Sequence, residues 1–288
     1  MPKRTRRPAT ATPVPTPTPA ELRQKILDDF QTLRIPLQPE QLDAVVARAE
    51  REGLSHLDFL RAVIGEQADR RRERGIAHRI REAHFRSTKT LADFDWQFNA
   101  AAIDRARIET LATGAFIGRR ENLVIVGQSG VGKSHIIQAI GQRACVLGYR
   151  VRYTTSGEVL AHLTAALADH TLPRRLRAYA GVDLLILDEF GFDRIERAEA
   201  GQASSLLYKL IDARSPKRST ALVTNIDFEA WDEYLADPPL VMAFLDRIVD
   251  GAIIMKINGK SYRAQRAQPA SPGEVHSSGT PAHNTKGR

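Results

Sequence analysis

Apolar residues recur at helical spacing in the first third of the chain and in short continuous runs further on. In ELRQKILDDFQTLR, Leu22, Ile26, Phe30 and Leu33 lie near one helix face, and in PEQLDAVVARAERE, Leu42, Val45, Val46 and Ala49 form a stripe that Gly53 is suited to end. SHLD, from Ser55 to Asp58, has the pattern of a helix start and opens a third helix. From Glu121 the period changes. NLVIV, YRVRYT, VDLLILD, STALVT and AIIMKI are β-favouring segments separated by helical stretches. Strands covered on both faces read as near-continuous apolar runs, so the pattern predicts an α/β domain with a mainly parallel, five-stranded sheet flanked by helices. The expected organisation is a helical N-terminal domain over 21–88 and the α/β domain over 89–265. Residues 1–20, basic and rich in Pro and Thr, and the polar stretch 266–288 are expected to be disordered, because neither carries enough apolar surface to order itself.

Composition adds a partner class. The formal net charge is +8, which favours a polyanion. Its steepest concentration runs from Arg70 to Arg86, where seven arginines face only Glu73 and Glu82. Arg70, Arg71, Arg72, Arg74, Arg79 and Arg81, with the cluster Arg174, Arg175 and Arg177, are the candidate contacts to a DNA backbone; a solvated helix face is the plainer account of the same charges. The chain has no apolar run of membrane-spanning length and no apolar stretch of signal-peptide length near its start, so a cytoplasmic protein with no membrane partner is expected. A single cysteine, Cys145, excludes a disulfide framework and a cysteine-based zinc site.

The chemistry lies between the first apolar run and the helix after it. Gly127, Gln128, Ser129, Gly130, Val131, Gly132, Lys133 and Ser134 complete the pattern G-x-x-x-x-G-K-[ST]. Glycines let successive backbone N–H groups turn toward phosphate oxygens, and the following helix adds its positive end. Lys133 can bridge the β- and γ-phosphates, and the Ser134 hydroxyl can ligate Mg²⁺. VDLLILDEFG then ends an apolar strand in Asp188 and Glu189, two carboxylates that are costly to bury without a cation. Asp188 suits the metal, and Glu189 suits the general base that activates water. Asn225, at the end of the fourth run, can orient water or merely cap a turn. Arg247 can pair with Asp246 at the surface or act as a finger on a neighbouring subunit's nucleotide, and Arg263 can reach a phosphate or solvate a chain end. No Asn-Lys-x-Asp guanine-reading motif occurs, so ATP is expected over GTP.

These segments, in this order, resemble the IstB-like ATPases, AAA+ helpers of transposases that are similar to DnaC helicase loaders. The likeness covers about Glu21 to Gln265 and is carried by KTLADFDWQFNAAAIDRARI, GQSGVGKSH, GYRVRYTT, DLLILDEFG, TALVTNIDFEAW and LDRIVDGAIIMKINGKSYR. The family more often has GPPGTGKT and DELG where this chain has GQSGVGKS and DEFG, changes that remove no chemical group the reaction needs. The resemblance implies an AAA+ P-loop NTPase fold, ATP and Mg²⁺ at residues 127–135 (His135 included), Asn225 as first sensor, Arg247 acting in trans and Arg263 as second sensor. It further implies a homo-oligomer assembled on duplex DNA that recruits a transposase. A replicative helicase loader of the DnaC type is the alternative. A small-molecule P-loop kinase explains Gly127 to Ser134 but leaves Glu189, Asn225 and Arg247 unused, and a purely structural DNA-binding module leaves the hydrolytic set unexplained.

Overall fold

The computed structural model describes residues 17–192, 200–235 and 237–267. Most of the two segments expected to be disordered lies outside the described residues. The chain divides into two compact units, 1–75 and 76–288.

The first unit is helical. Helices α1 (Pro19–Thr32), α2 (Pro39–Glu52) and the start of α3 (His56–Glu82) follow the three predicted stretches. Thr18 and Glu21 close a capping box on α1, with the Thr18 backbone N–H donating to Glu21 Oε2 at 2.8 Å. Gly53 ends α2 at φ 62°, a left-handed conformation that favours glycine. Ser55 Oγ accepts from the Asp58 backbone N–H at 3.2 Å, at the start of α3. Leu42, Val63 and Gln67 are the buried residues of these helices.

The second unit is built on β1 (Leu123–Gly127), β2 (Val151–Thr155), β3 (Leu184–Phe190), β4 (Ser219–Thr224) and β5 (Ile253–Ile257). All neighbours pair in parallel, in the order β2-β3-β4-β1-β5. With a phosphate-binding turn after β1, this is the arrangement of an AAA+ P-loop NTPase. Alternate residues of each strand feed two cores. Leu123 and Ile125 of β1, Leu184 and Ile186 of β3, and Val223 of β4 face Ile136, Ile137 and Ile140 of α6 (Lys133–Val146) and Ile108 of α4 (Arg105–Ala112). The short α5 (Ala115–Arg119) adds Phe116 to that core. Val124, Leu185, Leu187 and Leu222 face α7 (Ser156–Ala168), α8 (Leu172–Ala180), α9 (Ala200–Arg214) and α11 (Pro238–Val249). The short α10 (Trp231–Leu235) packs Trp231 against Phe190 and Phe244, and α12 (Tyr262–Ala267) closes the described chain. Cys145 is a buried residue of α6, its thiol pushed up to about 11 by burial. No helix among the described residues is long and apolar enough to cross a membrane.

Candidate functional site

The turn between β1 and α6 requires its glycines. Gly130 and Gly132 adopt φ 84° and 101°, and a Cβ on Gly130 would stand 2.1 Å from Ser261 Oγ. Gly127 is packed just as closely, 2.3 Å from Ile257 O by the same construction. The turn is therefore pinned to the segment after β5, where Tyr262 N donates to Gly130 O at 3.0 Å. Lys133, the first residue of α6, is 8% exposed. Its Nζ donates to the carbonyls of Gly127 (2.5 Å) and Gln128 (2.8 Å). Burial pulls the Lys133 pKa down; nearby Asp188 pushes it up and nearby Arg263 pulls it down.

Asp188 ends the regular part of β3 and is 1% exposed. Tyr153, from the neighbouring β2, donates its hydroxyl to Asp188 Oδ2 at 2.7 Å, and the Glu189 backbone N–H donates to Oδ1 at 2.8 Å. Burial raises the Tyr153 pKa, and the Asp188 carboxylate raises it further, so the phenol stays a donor. The next residue breaks the strand geometry: Glu189 has φ 58°, and the β3–β4 register shifts between Leu187 and Phe190. A left-handed non-glycine residue stores backbone strain, which here comes with a carboxylate turned out of the ladder. Gly191 at φ 83° follows immediately, and a Cβ there would stand 2.4 Å from Ile226.

Glu189 meets a cation that local patterning does not reveal. Arg86 donates from Nη1 to Glu189 Oε1 at 2.9 Å and from Nη2 to Glu158 Oε1 at 3.4 Å. Burial lowers the Arg86 pKa, but the adjacent carboxylates outweigh it and hold the guanidinium charged. Glu158 is also the capping-box partner of Thr155 at the start of α7. Its pKa is lowered, first by the Thr155 backbone N–H and also by Arg86.

Residues 129–135, Asp188, Glu189, Asn225 and Arg263 line one cavity of about 410 Å³. It opens at the C-terminal ends of the strands, where parallel sheets place their ligands. Gly127 and Gln128 contribute instead the two carbonyls that hold Lys133. Arg247 is elsewhere: on α11 it donates to Asp212 (3.2 Å) and Asp246 (2.8 Å). A wall of the cavity that residue chemistry alone did not single out comes from residues 89–103, with Phe94, Phe98 and Ile103, and from Tyr262 across from them. Phe98 and Tyr262 meet edge to face at 5.0 Å, and Phe94 meets the His135 ring at 5.1 Å. Asn99 clips this wall in place, donating to Lys260 O and accepting from Lys260 N, both at 3.0 Å. The predictive signal was the aromatic spacing in LADFDWQF, which is informative only once the fold sets it beside the turn.

Among the described residues there is no group of three or more His, Cys, Asp or Glu side chains placed to hold a metal by themselves. The oxygen donors Ser134 and Asp188 do share the cavity, a set that fits Mg²⁺, which takes few protein ligands and completes its shell with phosphate and water.

Of the candidate DNA contacts, Arg70 is tied to Glu66 at 2.5 Å and Arg72 to Asp69 at 2.6 Å. Arg74 donates to Arg70 O and Arg81 meets His78 Nδ1. Arg71 is exposed on α3. Arg174, Arg175 and Arg177 are exposed on α8, and Arg175 lines a groove that Arg79 also lines.

A family model described as IstB-like ATP binding protein matches residues 29–270. A Pseudomonas aeruginosa protein named for ATP binding and for insertion sequence IS21 is 33% identical over 229 residues, which are 80% of this chain and 84% of that one. A Bacillus thuringiensis subsp. berliner protein, named likewise for IS232, is 32% identical over 240 residues, 83% of this chain and 94% of that one. Among solved structures, the crystal structure of DnaI aligns with a TM-score of 0.48 at 19% identity, covering 63% of this chain and 93% of that one.

Proposed function

The chain belongs to the IstB-like ATP-binding protein family, and on that premise we propose that it is a Mg²⁺-dependent ATPase that assembles on duplex DNA as a homo-oligomer and there recruits or regulates a transposase. The observation that carries this reading is the convergence of Lys133, Ser134, Asp188, Glu189, Asn225 and Arg263 on one cavity. Relatives named for insertion sequences favour a transposase over a replicative helicase as the partner. A cytoplasmic location fits that role.

In this reading the backbone of residues 127–135 cradles the phosphates, and Lys133 leaves its two carbonyls to meet the β- and γ-oxygens. Ser134 and Asp188 would hold Mg²⁺, which when bound would supply positive charge beside the phosphates. Tyr153 keeps Asp188 oriented. Glu189 takes a proton from the attacking water once its carboxylate parts from Arg86, and Asn225 orients that water. Arg263 contacts the γ-phosphate within the same subunit, while Arg247 serves the site of a neighbour. The adenine ring stacks in the aromatic wall of Phe94, Phe98 and Tyr262. Arginines 70, 71, 72, 74, 79, 81, 174, 175 and 177 are the proposed pool of backbone contacts to DNA.

Two substitutions test the chemistry. Lys133→Ala should abolish nucleotide binding. Glu189→Gln should bind ATP normally and turn over about 10² to 10⁴ times more slowly, the usual worth of a positioned base. Wild-type turnover in Glu189→Gln would remove Glu189 from the role. Capture by a transposase against capture by a replicative helicase then decides the partner.

A further inference from the structure

Where the chain enters β2, at the end of the sheet opposite the nucleotide cavity, lies a groove of about 600 Å³. Four arginines line it: Arg79 of α3, Arg150 and Arg152 at the start of β2, and Arg175 of α8. Glu82 is the one carboxylate in its lining. Asp183 approaches Arg150 at 3.5 Å but is engaged more closely by Arg218, at 2.5 Å. Among the described residues, no carboxylate lies within ion-pairing distance of Arg79, Arg152 or Arg175. The positive charge of the groove is therefore largely uncompensated by the chain itself.

Two of the arginines are also held in place. Arg79 Nε donates to Cys145 O at 2.8 Å, which leaves the outer guanidinium nitrogens to the groove. The Arg152 guanidinium sits 5.6 Å over the ring of Tyr179, and its Nε has no hydrogen-bond partner among the described residues. Tyr179 is a rigid platform: it is 3% exposed, its hydroxyl meets His162 Nδ1 at 2.7 Å, and its carbonyl accepts from buried Arg214 at 2.7 Å. Cations fixed before binding lose little freedom when a ligand arrives, which suits a repeating anion. The lining contains no Asn or Gln, the side chains that read adenine in a groove of DNA.

We propose that this groove is the principal phosphate-contact site for the backbone of duplex DNA, ahead of the ion-paired Arg70 and Arg72. The inference rests on the reading of the chain as a DNA-binding ATPase and adds Arg150 and Arg152, which the charge runs in the sequence did not single out. Each phosphate contact contributes about 0.9 to the slope of log K against log salt. Arg152 and Arg175 together should therefore account for about 1.8 of it.

The test is fluorescence anisotropy of a labelled random-sequence duplex, titrated with full-length protein at several KCl concentrations in the presence of Mg²⁺ and a non-hydrolysable ATP analogue. Arg152→Gln/Arg175→Gln should lower the salt slope by about two contacts' worth, and the exposed single variant Arg175→Gln by about one. Arg70→Gln/Arg72→Gln, each already spent on an ion pair, should lower the slope by less than Arg152→Gln/Arg175→Gln does. Affinity for the ATP analogue, unchanged in each, reports an intact fold. An unchanged slope in Arg175→Gln, or a loss confined to Arg70→Gln/Arg72→Gln, overturns the proposal, as does a groove that takes up an acidic protein while the DNA slope stays put. A wild-type chain that binds no duplex at all would instead bring down the DNA-binding reading beneath it.

Discussion

The two units dispose of their apolar side chains in opposite ways. In the unit that carries the sheet, alternate strand residues enter two cores, and Leu207, Leu210, Ile136 and Ile186 are at most 1% exposed. In the helical unit α1 has no buried residue, and Leu57, Leu60 and Ile64, at i, i+3 and i+7 on one face of α3, are 78%, 51% and 51% exposed. The first buries apolar side chains throughout; among the described residues of the second only Leu42, Val63 and Gln67 are buried. The difference teaches that apolar periodicity reports a face without saying what covers it. In the sheet unit the chain itself covers that face, whereas in the helical unit the stripe stays at the surface.

The largest expected effect concerns a residue of the sheet unit whose proposed role is completed in a neighbouring subunit. Arg247 is paired with Asp212 and Asp246, and its guanidinium does not line the cavity of its own subunit. Arg247→Ala should bind ATP yet hydrolyse it on the order of a thousandfold more slowly, as expected of a finger acting in trans. Mixed with Lys133→Ala subunits, it should regain part of its activity, since some interfaces then join an intact phosphate loop to an intact arginine. Co-assembly without recovery would make Arg247 a structural or cis-acting residue and return the sheet unit to self-sufficiency.

Packing tests the contrast next. Leu210→Ala should destabilise the protein by about 2–5 kcal/mol in chemical denaturation, the transfer and cavity cost of a fully buried leucine. Leu57→Ala and Leu60→Ala should stay within about 0.5 kcal/mol. A large loss in the α3 pair would mean that those side chains are covered after all, and the comparison would break there.

The smallest effect is acidic. The Thr18 backbone holds the Glu21 carboxyl below its ordinary value, and the Arg23 guanidinium does the same for Asp43. Groups whose folded pKa is depressed stabilise above their unfolded pKa and lose that contribution as pH falls through the folded value. Backbone amide exchange in the whole chain should show α1 and α2 loosening below pH about 4, ahead of the sheet. Unchanged protection of α1 at pH 3 would show that neither carboxylate contributes.

Much of this was legible in the sequence, for a physical reason: short-range patterns encode it. The five apolar runs became the five strands because burial on both faces removes the need for alternation. The turn at Gly127 to Ser134 and the Asp188–Glu189 pair declare themselves within a few residues. What stayed hidden depends on distant partners. Arg86 precedes Glu189 by 103 residues, and Tyr153 precedes Asp188 by 35. The left-handed turn at Glu189 is likewise set by the β3–β4 register rather than by its own side chain. Helix starts followed the caps: α1 begins at Pro19, inside the stretch expected to be disordered, because Thr18 and Glu21 close the box there.

The reciprocal pair between Asn99 and Lys260 has a consequence for anyone recombining these proteins. The wall of the nucleotide cavity is assembled from a segment that precedes the first strand and another that follows the last, so the site has no contiguous minimal fragment. A chimaera that transplants only β1 through β5 from a relative would inherit the phosphate turn and the two acidic residues while both segments of the wall stayed with the host. Its proposed purine pocket would then depend on whether the host's Phe94 and Tyr262 fitted the donor's turn, which they meet at His135 and Gly130. Crossover points therefore belong upstream of Lys89 and downstream of Ala267, so that the wall and the turn it meets travel together.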